Sequence, residues 1–174
     1  MKTLLTKEQL HEGVVRIAGA ITACYEGRPL TVIGVLTGSV VIVADLIRLI
    51  DLPVRIGMIA ASSYRGATTT RGELTIDDGL MIDIEGRDVL LVDDIFDTGH
   101  TLVQVLDKMR TYDPASLRSA VLLRKHGRQE VDFEPDFVGF DIPDEFVVGY
   151  GLDYNDMYRN LPELAVLEAG DLKS

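Results

Sequence analysis

Val89-Leu-Leu-Val-Asp-Asp-Ile-Phe-Asp-Thr-Gly-His-Thr-Leu102 passes from branched apolar residues, through three carboxylates, into a glycine turn. The run 89–92 is short and unbroken, as in a strand covered on both faces, and Leu102, Val105, Leu106 and Met109 then recur at helical spacing. Strand, tight turn and helix make the unit of a parallel sheet, whose ligand loops gather at the C-terminal ends of the strands. That is where the polar residues of this stretch lie. Backbone N–H groups opening the helix, made approachable by Gly99 and joined by the hydroxyls of Thr98 and Thr101, suit a phosphate monoester. Asp93 and Asp94 repel such a group and suit a ribose diol, or the Mg²⁺ that accompanies a pyrophosphate. Taken alone, the same string also describes a strand ending in an acidic turn, with Asp97 or Thr98 capping the next helix.

The rest of the chain repeats the pattern. Thr6 and Gln9 form a capping box before the stripe Leu10, Val14, Ile17, Ala18 and Ile21, so the chain is expected to open with an amphipathic helix. Thr31 to Leu36 reads as a buried strand that breaks at Thr37-Gly38-Ser39, after which Val40, Val43, Ala44 and Ile47 begin a second helix. Pro53 to Ala60 and Ala120 to Leu123 are further strands, and the polar stretch Ala61 to Gly72 reads as a long loop. Past Phe133 come short pieces, Phe137 to Phe140 and Phe146 to Val148, broken by Pro135 and Pro143. The expected fold is α/β: a single domain over 1–174, with a mainly parallel twisted sheet flanked by helices (core about 1–130) and a small hood drawn largely from 131–174.

Composition narrows the function. At 174 residues, 47% hydrophobic and 26% charged, the chain is expected to form one soluble unit. No segment approaches the roughly 18 apolar residues of a membrane span, and the polar TKEQ stretch near the start does not suit a signal peptide. A cytoplasmic location is expected. Cys24 is the only cysteine, which excludes an intrachain disulfide and a cysteine metal cluster, and a metal is expected on oxygen ligands. The net charge of −11 argues against nucleic-acid binding, which Lys and Arg drive by displacing counterions.

The 89–102 string closely resembles the PRPP-binding signature of type I phosphoribosyltransferases, PRPP being 5-phosphoribosyl pyrophosphate. Pro135 to Asn155, followed by Tyr158-Arg159, resembles the purine-binding hood of hypoxanthine-guanine phosphoribosyltransferases, and Leu36-Thr-Gly-Ser39 and Ser62-Ser-Tyr64 extend the likeness over most of the chain. The resemblance implies a Mg²⁺-dependent purine salvage enzyme that joins hypoxanthine or guanine to the ribose phosphate of PRPP, giving IMP or GMP and pyrophosphate. It implies Asp97 as general base at the purine imidazole and Asp93 and Asp94 on the ribose hydroxyls. The phosphate cradle would be Asp97, Thr98, Gly99, His100 and Thr101, although His100 sits at a variable position and fits an exposed loop residue. Thr37, Gly38 and Ser39, with Arg159, would receive pyrophosphate, and the Leu36–Thr37 peptide is expected to be cis. Lys125 would donate to the 6-oxo group, Phe146 would stack on the ring, and Val147 would meet the base edge through its backbone, with Asp153 beside it. Asp93, Asp94 and Asp153 are the expected Mg²⁺ ligands. Ser63 and Tyr64 would belong to a lid that excludes water from a transition state resembling an oxocarbenium ion.

One position departs from the family pattern, which often has Lys where this chain has Thr37. The loop keeps its backbone N–H groups for pyrophosphate but loses a cation. The resemblance also implies a homodimer or homotetramer. A regulatory protein using the same fold as an effector sensor would need a basic surface or an added DNA-binding domain, and this acidic chain shows neither. An enzyme for adenine or a pyrimidine is disfavoured by Lys125, whose donor suits a carbonyl at the purine 6 position.

Overall fold

The computed structural model describes residues 1–63, 74–168 and 170–171. Its elements run β1 (Lys2–Leu5), α1 (Lys7–Tyr25), β2 (Leu30–Leu36), α2 (Val40–Leu46), β3 (Val54–Ser63), β4 (Leu74–Asp77), β5 (Asp88–Phe96), α3 (His100–Arg110), β6 (Ser116–Lys125), β7 (Phe137–Ile142), β8 (Val147–Val148) and β9 (Leu164–Val166). The main sheet has the order β4-β3-β2-β5-β6-β7. From β3 to β7 the strands are parallel, and β4 returns antiparallel along the outer edge of β3.

Alternate residues of the central strands feed two cores. Val32 of β2 and Leu90 and Val92 of β5 pack with Leu10, Val14, Ile17 and Ile21 of α1 and Ile42, Val43 and Leu46 of α2. Ile33, Val35, Val89 and Leu91 pack on the other side with Leu102, Val105, Leu106 and Met109 of α3. Burial on both faces is why these strands read as unbroken apolar runs. The capping box forms as expected: the Gln9 N–H donates to Thr6 Oγ1 at 3.3 Å, and the Thr6 N–H donates to Gln9 Oε1 at 2.9 Å.

Several boundaries differ from the sequence reading: β3 runs on to Ser63 into the expected loop, and β5 and β6 extend beyond the apolar runs that marked them. The chain opens on β1, not on the helix, and β1 pairs antiparallel with β9, which also pairs with β8, to make a separate three-stranded sheet. Both ends of the chain therefore build the hood. Conversely β7, placed by sequence in the small lobe, is the edge strand of the main sheet, parallel to β6. Prolines at 135 and 143 flank it without breaking its ladder, as suits an edge strand.

Crossovers diverge at the middle of the sheet. From β2 the chain passes through α2 to β3 on one side, and from β5 through α3 to β6 on the other. A crevice opens where neighbouring strands send their connections opposite ways, outside the carboxyl ends of β2 and β5.

Candidate active site

That crevice is a cleft of about 330 Å³. Leu36, Thr37 and Gly38 at the end of β2 and beyond it, Asp93 to Gly99 from the end of β5 and the turn after it, Thr101 of α3, and Asp153 and Arg159 from the tail line it. A second hollow of about 210 Å³ is bordered by Lys125, Phe146, Val147 and Leu152, and shares Asp94, Ile95, Asp97 and Asp153 with the first. Segments far apart in sequence thus meet as one polar cleft joined to a smaller one with an aromatic wall.

The Asp93 and Asp94 carboxylates sit at the floor. The Asp94 N–H donates to Asp93 Oδ1 at 2.9 Å, and the Ile95 N–H to Asp94 Oδ1 at 2.7 Å. Burial holds Asp93 well above the usual carboxylate range, and the neighbouring charge of Asp94 adds to this. Burial raises Asp94 as well, against the opposing pull of its hydrogen bonds and of Arg159. Two adjacent buried carboxylates hold two charges poorly, so a cation or a pair of donor hydroxyls arriving there is favoured. Gly38 approaches so closely that a Cβ on it would collide with the Asp94 carboxylate.

At the start of α3 the N-cap residue is Gly99, in the left-handed region at φ 90° and with no side-chain cap. The alternative in which Asp97 or Thr98 merely caps this helix therefore fails. An uncapped first turn leaves N–H groups directed at the cleft end, the arrangement that binds phosphate. Thr98, Gly99 and Thr101 border the cleft. His100 is not among its lining residues, and its ring lies 2.8 Å from Glu130 Oε2.

Asp97 stands where the two hollows join. Its Oδ2 lies 3.3 Å from Lys125 Nζ, and its Oδ1 accepts from Arg128 Nε at 3.0 Å. Asp144 completes the cluster, 3.6 Å from Lys125 Nζ and 3.5 Å from Arg128 Nε. Lys125 is only 8% exposed, which is rare for a lysine outside an ion pair. Sequence reasoning singled out Asp97 and Lys125 but missed Arg128 and Asp144. The signals available were Arg128's position three residues beyond Lys125 and the acidic pair before Phe146.

Phe146 is 52% exposed and meets Tyr154 edge-to-face, with centroids 5.7 Å apart. Val147 is buried in β8. Arg159 donates to Gly151 O at 2.7 Å and pairs with Asp153 Oδ1 at 2.7 Å; the other oxygen of Asp153 accepts the Asp156 N–H at 2.9 Å.

The Leu36–Thr37 peptide is cis, as expected. Ser39 is not brought to the cleft. It is fully buried and its N–H donates to Val35 O at 3.3 Å, so Thr37 and Gly38 alone represent this loop at the surface of the cleft. Ser63 ends β3, paired with Leu74, and Tyr64 lies outside the described residues. No helix among the described residues is long and apolar enough to cross a membrane.

Residues 2–155 match the model of the phosphoribosyl transferase domain family. The chain is 44% identical to a hypoxanthine-guanine phosphoribosyltransferase of Staphylococcus epidermidis over 97% of its own length and 95% of that protein. A crystal structure of a hypoxanthine-guanine phosphoribosyltransferase from Bacillus anthracis superposes with a TM-score of 0.91 at 43% identity, covering 97% of this chain and 99% of the other. A mutant hypoxanthine phosphoribosyltransferase of Trypanosoma cruzi, in a ternary substrates complex, also superposes with a TM-score of 0.91, at 38% identity, covering 99% and 97% of the two chains.

Proposed function

The chain belongs to the hypoxanthine-guanine phosphoribosyltransferases of the phosphoribosyl transferase domain family, and from that membership we infer that it works in purine salvage. It transfers the 5-phosphoribosyl group of PRPP to hypoxanthine or guanine, giving IMP or GMP and pyrophosphate. The observation that supports this most directly for the chain's own residues is the position of Asp97. One carboxylate stands between an anion-binding cleft at the α3 N-terminus and a hollow bordered by Lys125 and Phe146.

In this reading Thr98, Gly99 and Thr101, with the first N–H groups of α3, hold the 5′-phosphate, and Asp93 and Asp94 accept the ribose hydroxyls. Thr37, Gly38 and Arg159 receive the pyrophosphate. The purine lies on Phe146 with its edge against the Val147 backbone. As Lys125 donates to the 6-oxo oxygen, its ammonium shifts from the Asp97 carboxylate, 3.3 Å away in the free protein, to the purine. The same exchange frees Asp97 Oδ2 to accept the imidazole proton as the bond to the anomeric carbon forms. Arg128, on the other oxygen, keeps the carboxylate aligned.

Mg²⁺ fits the donor set. Asp93, Asp94 and Asp153 supply hard oxygen ligands, yet no three acidic, His or Cys side chains among the described residues are grouped to hold a metal by themselves. That suits a cation held by one or two carboxylates with the remaining positions taken by ligand oxygens and water. When bound it neutralises charge on the leaving pyrophosphate. Asp153 is already paired to Arg159, so Asp93 and Asp94 are the better candidates.

The single cysteine suits a reducing cytoplasm. Assembly as a homodimer or homotetramer is proposed from membership of the family alone. The deciding assay is nucleotide formation from PRPP and Mg²⁺ across purine and pyrimidine bases. IMP and GMP should form, with no product from adenine or the pyrimidines; product from adenine alone would overturn the base assignment.

A further inference from the structure

The tail between β8 and Arg159 follows an unusual path. Gly149, Tyr150, Gly151, Asn155, Asp156 and Tyr158 have φ of 97°, 49°, 101°, 51°, 61° and 77°. Gly151 is forced by contact, since a Cβ there would collide with the carbonyl of Gly38. This segment therefore lies directly on the turn that follows β2. Tyr150 is the exception among the three residues 149–151, a large side chain kept in a conformation that favours glycine. A bulky residue held there points to a task for its side chain.

The side chain is 7% exposed and packs in the core with α1 and α2. Its hydroxyl donates to Asp45 Oδ2 at 2.6 Å, while Asp45 Oδ1 pairs with Arg48. Asp45 belongs to α2, the helix that begins just beyond Thr37-Gly38-Ser39. On the tail side, the Tyr150 N–H donates to Leu161 O at 2.8 Å, the Gly151 N–H donates to Arg159 O at 3.0 Å, and Arg159 returns a bond to Gly151 O. Tyr150 faces a separate cavity of about 340 Å³ behind the cleft, with Lys7, His11 and Asp45, and only Arg159 borders both. Its hydroxyl thus reaches α2 without touching the cleft.

We propose that Tyr150 is a positioning residue: its bond to Asp45 clamps the 149–159 segment onto α2 and sets the spacing between Arg159 and the Thr37–Gly38 turn. The proposal rests on the reading of those groups as the pyrophosphate site. It locates the main effect at that end of the cleft: Lys125 and Phe146 of the purine end lie outside the clamped segment, while Leu152 and Asp153, which also border that hollow, lie within it.

Tyr150→Phe keeps the ring, its packing and its backbone and removes one hydrogen bond. The Michaelis constants for PRPP and, in the reverse reaction, for pyrophosphate should rise about five- to tenfold, part of the cost of one lost hydrogen bond to an ionised carboxylate, while those for hypoxanthine and guanine rise no more than about threefold. Asp45→Asn retains an oxygen that accepts from the tyrosine and should stay near the parent. Asp45→Ala should match Tyr150→Phe, and the double variant should be no worse than either single change, as expected of one shared bond. PRPP and pyrophosphate constants within about twofold of the parent overturn the clamp. So does an equal rise for both substrates accompanied by a lower Tm, which marks a purely structural loss. Calorimetric titration with pyrophosphate and Mg²⁺ separates the two claims. Should the parent form no nucleotide from either purine, the activity assignment fails, while weaker pyrophosphate binding by Tyr150→Phe still supports the clamp and unchanged binding rejects it.

Discussion

Asp97 holds a cation on each carboxylate oxygen, Lys125 at 3.3 Å and Arg128 at 3.0 Å, and in the proposed reading the first of these gives way when a purine enters. Asp97→Asn keeps the size and most of the hydrogen-bonding shape but cannot take the imidazole proton. Single-turnover nucleotide formation should fall by about 10²–10⁴-fold, the usual contribution of a positioned general base. PRPP affinity, assigned in the proposed reading to Asp93, Asp94 and the α3 N-terminus, should change little. A rate within about threefold of the parent would leave the base unidentified. Lys125→Ala should raise the Michaelis constants for hypoxanthine and guanine by an amount equivalent to about 1–3 kcal/mol, the cost of leaving a buried carbonyl unpaired. Its effect on the constant for PRPP should be small. Unchanged base constants would remove Lys125 from the purine site.

At the scale of elements, α1 and α3 begin in opposite ways. Thr6 and Gln9 close the N-terminus of α1 with a reciprocal pair of bonds, while α3 starts on Gly99 with no side-chain cap. The first helix has only packing to do, and the third presents its N–H groups to the cleft. Thr6→Ala should therefore cost about 1 kcal/mol in thermal or denaturant unfolding and leave the steady-state constants unchanged. A change in the PRPP constant would show that the α1 cap communicates with the cleft. Gly99→Ala should act on both, because alanine at φ 90° is strained and its Cβ would meet Phe96 and Val131. Loss of phosphate affinity accompanied by a lower Tm is the expected pair of observations.

For the molecule as a whole, the carboxylates at the floor of the cleft set function against stability. Burial, reinforced by Asp94, raises the Asp93 carboxyl above its unfolded value, so the folded state keeps a proton where the unfolded chain has lost it. The stability this group contributes is fully present below the unfolded value, about 3.9, and is lost as pH rises through the folded one. At neutral pH the charged pair is a liability in the free protein. Asp93→Asn, which can still accept the Asp94 N–H, should raise the Tm of the free protein at pH 7, by about 2–4 °C for each kcal/mol relieved. The gain should shrink as the pH is lowered toward the unfolded value, and PRPP binding should weaken. A Tm at pH 7 equal to or below that of the parent would mean that the asparagine loses more in hydrogen bonding than it relieves in charge.

What the amino-acid sequence determined by itself is whatever local pattern expresses. The unbroken runs at Val32–Val35 and Val89–Val92 require burial on two faces, and the turn Asp97-Thr98-Gly99 between strand and helix marks the cleft, because those residues are neighbours along the chain. Asp93, Asp94 and Asp97 could be named in advance for the same reason, and Lys125 only through the resemblance to a known family. The tertiary structure alone decided which distant pieces share a sheet. β1 is four residues with no periodicity to read, and it becomes a strand only because β9 offers it an edge. β7 has its own alternation, but its place in the main sheet follows from pairing with β6, and backbone hydrogen bonds carry no side-chain signature. Ser39 shows the reverse: its place beside Gly38 suggested a ligand contact, and packing turned it inward. Arg128 against Asp97, and Tyr150 against Asp45 across 105 positions, exist only once the chain has folded back on itself. A hydrogen bond between remote side chains depends on the position of the backbone at both ends, and only the completed packing supplies that.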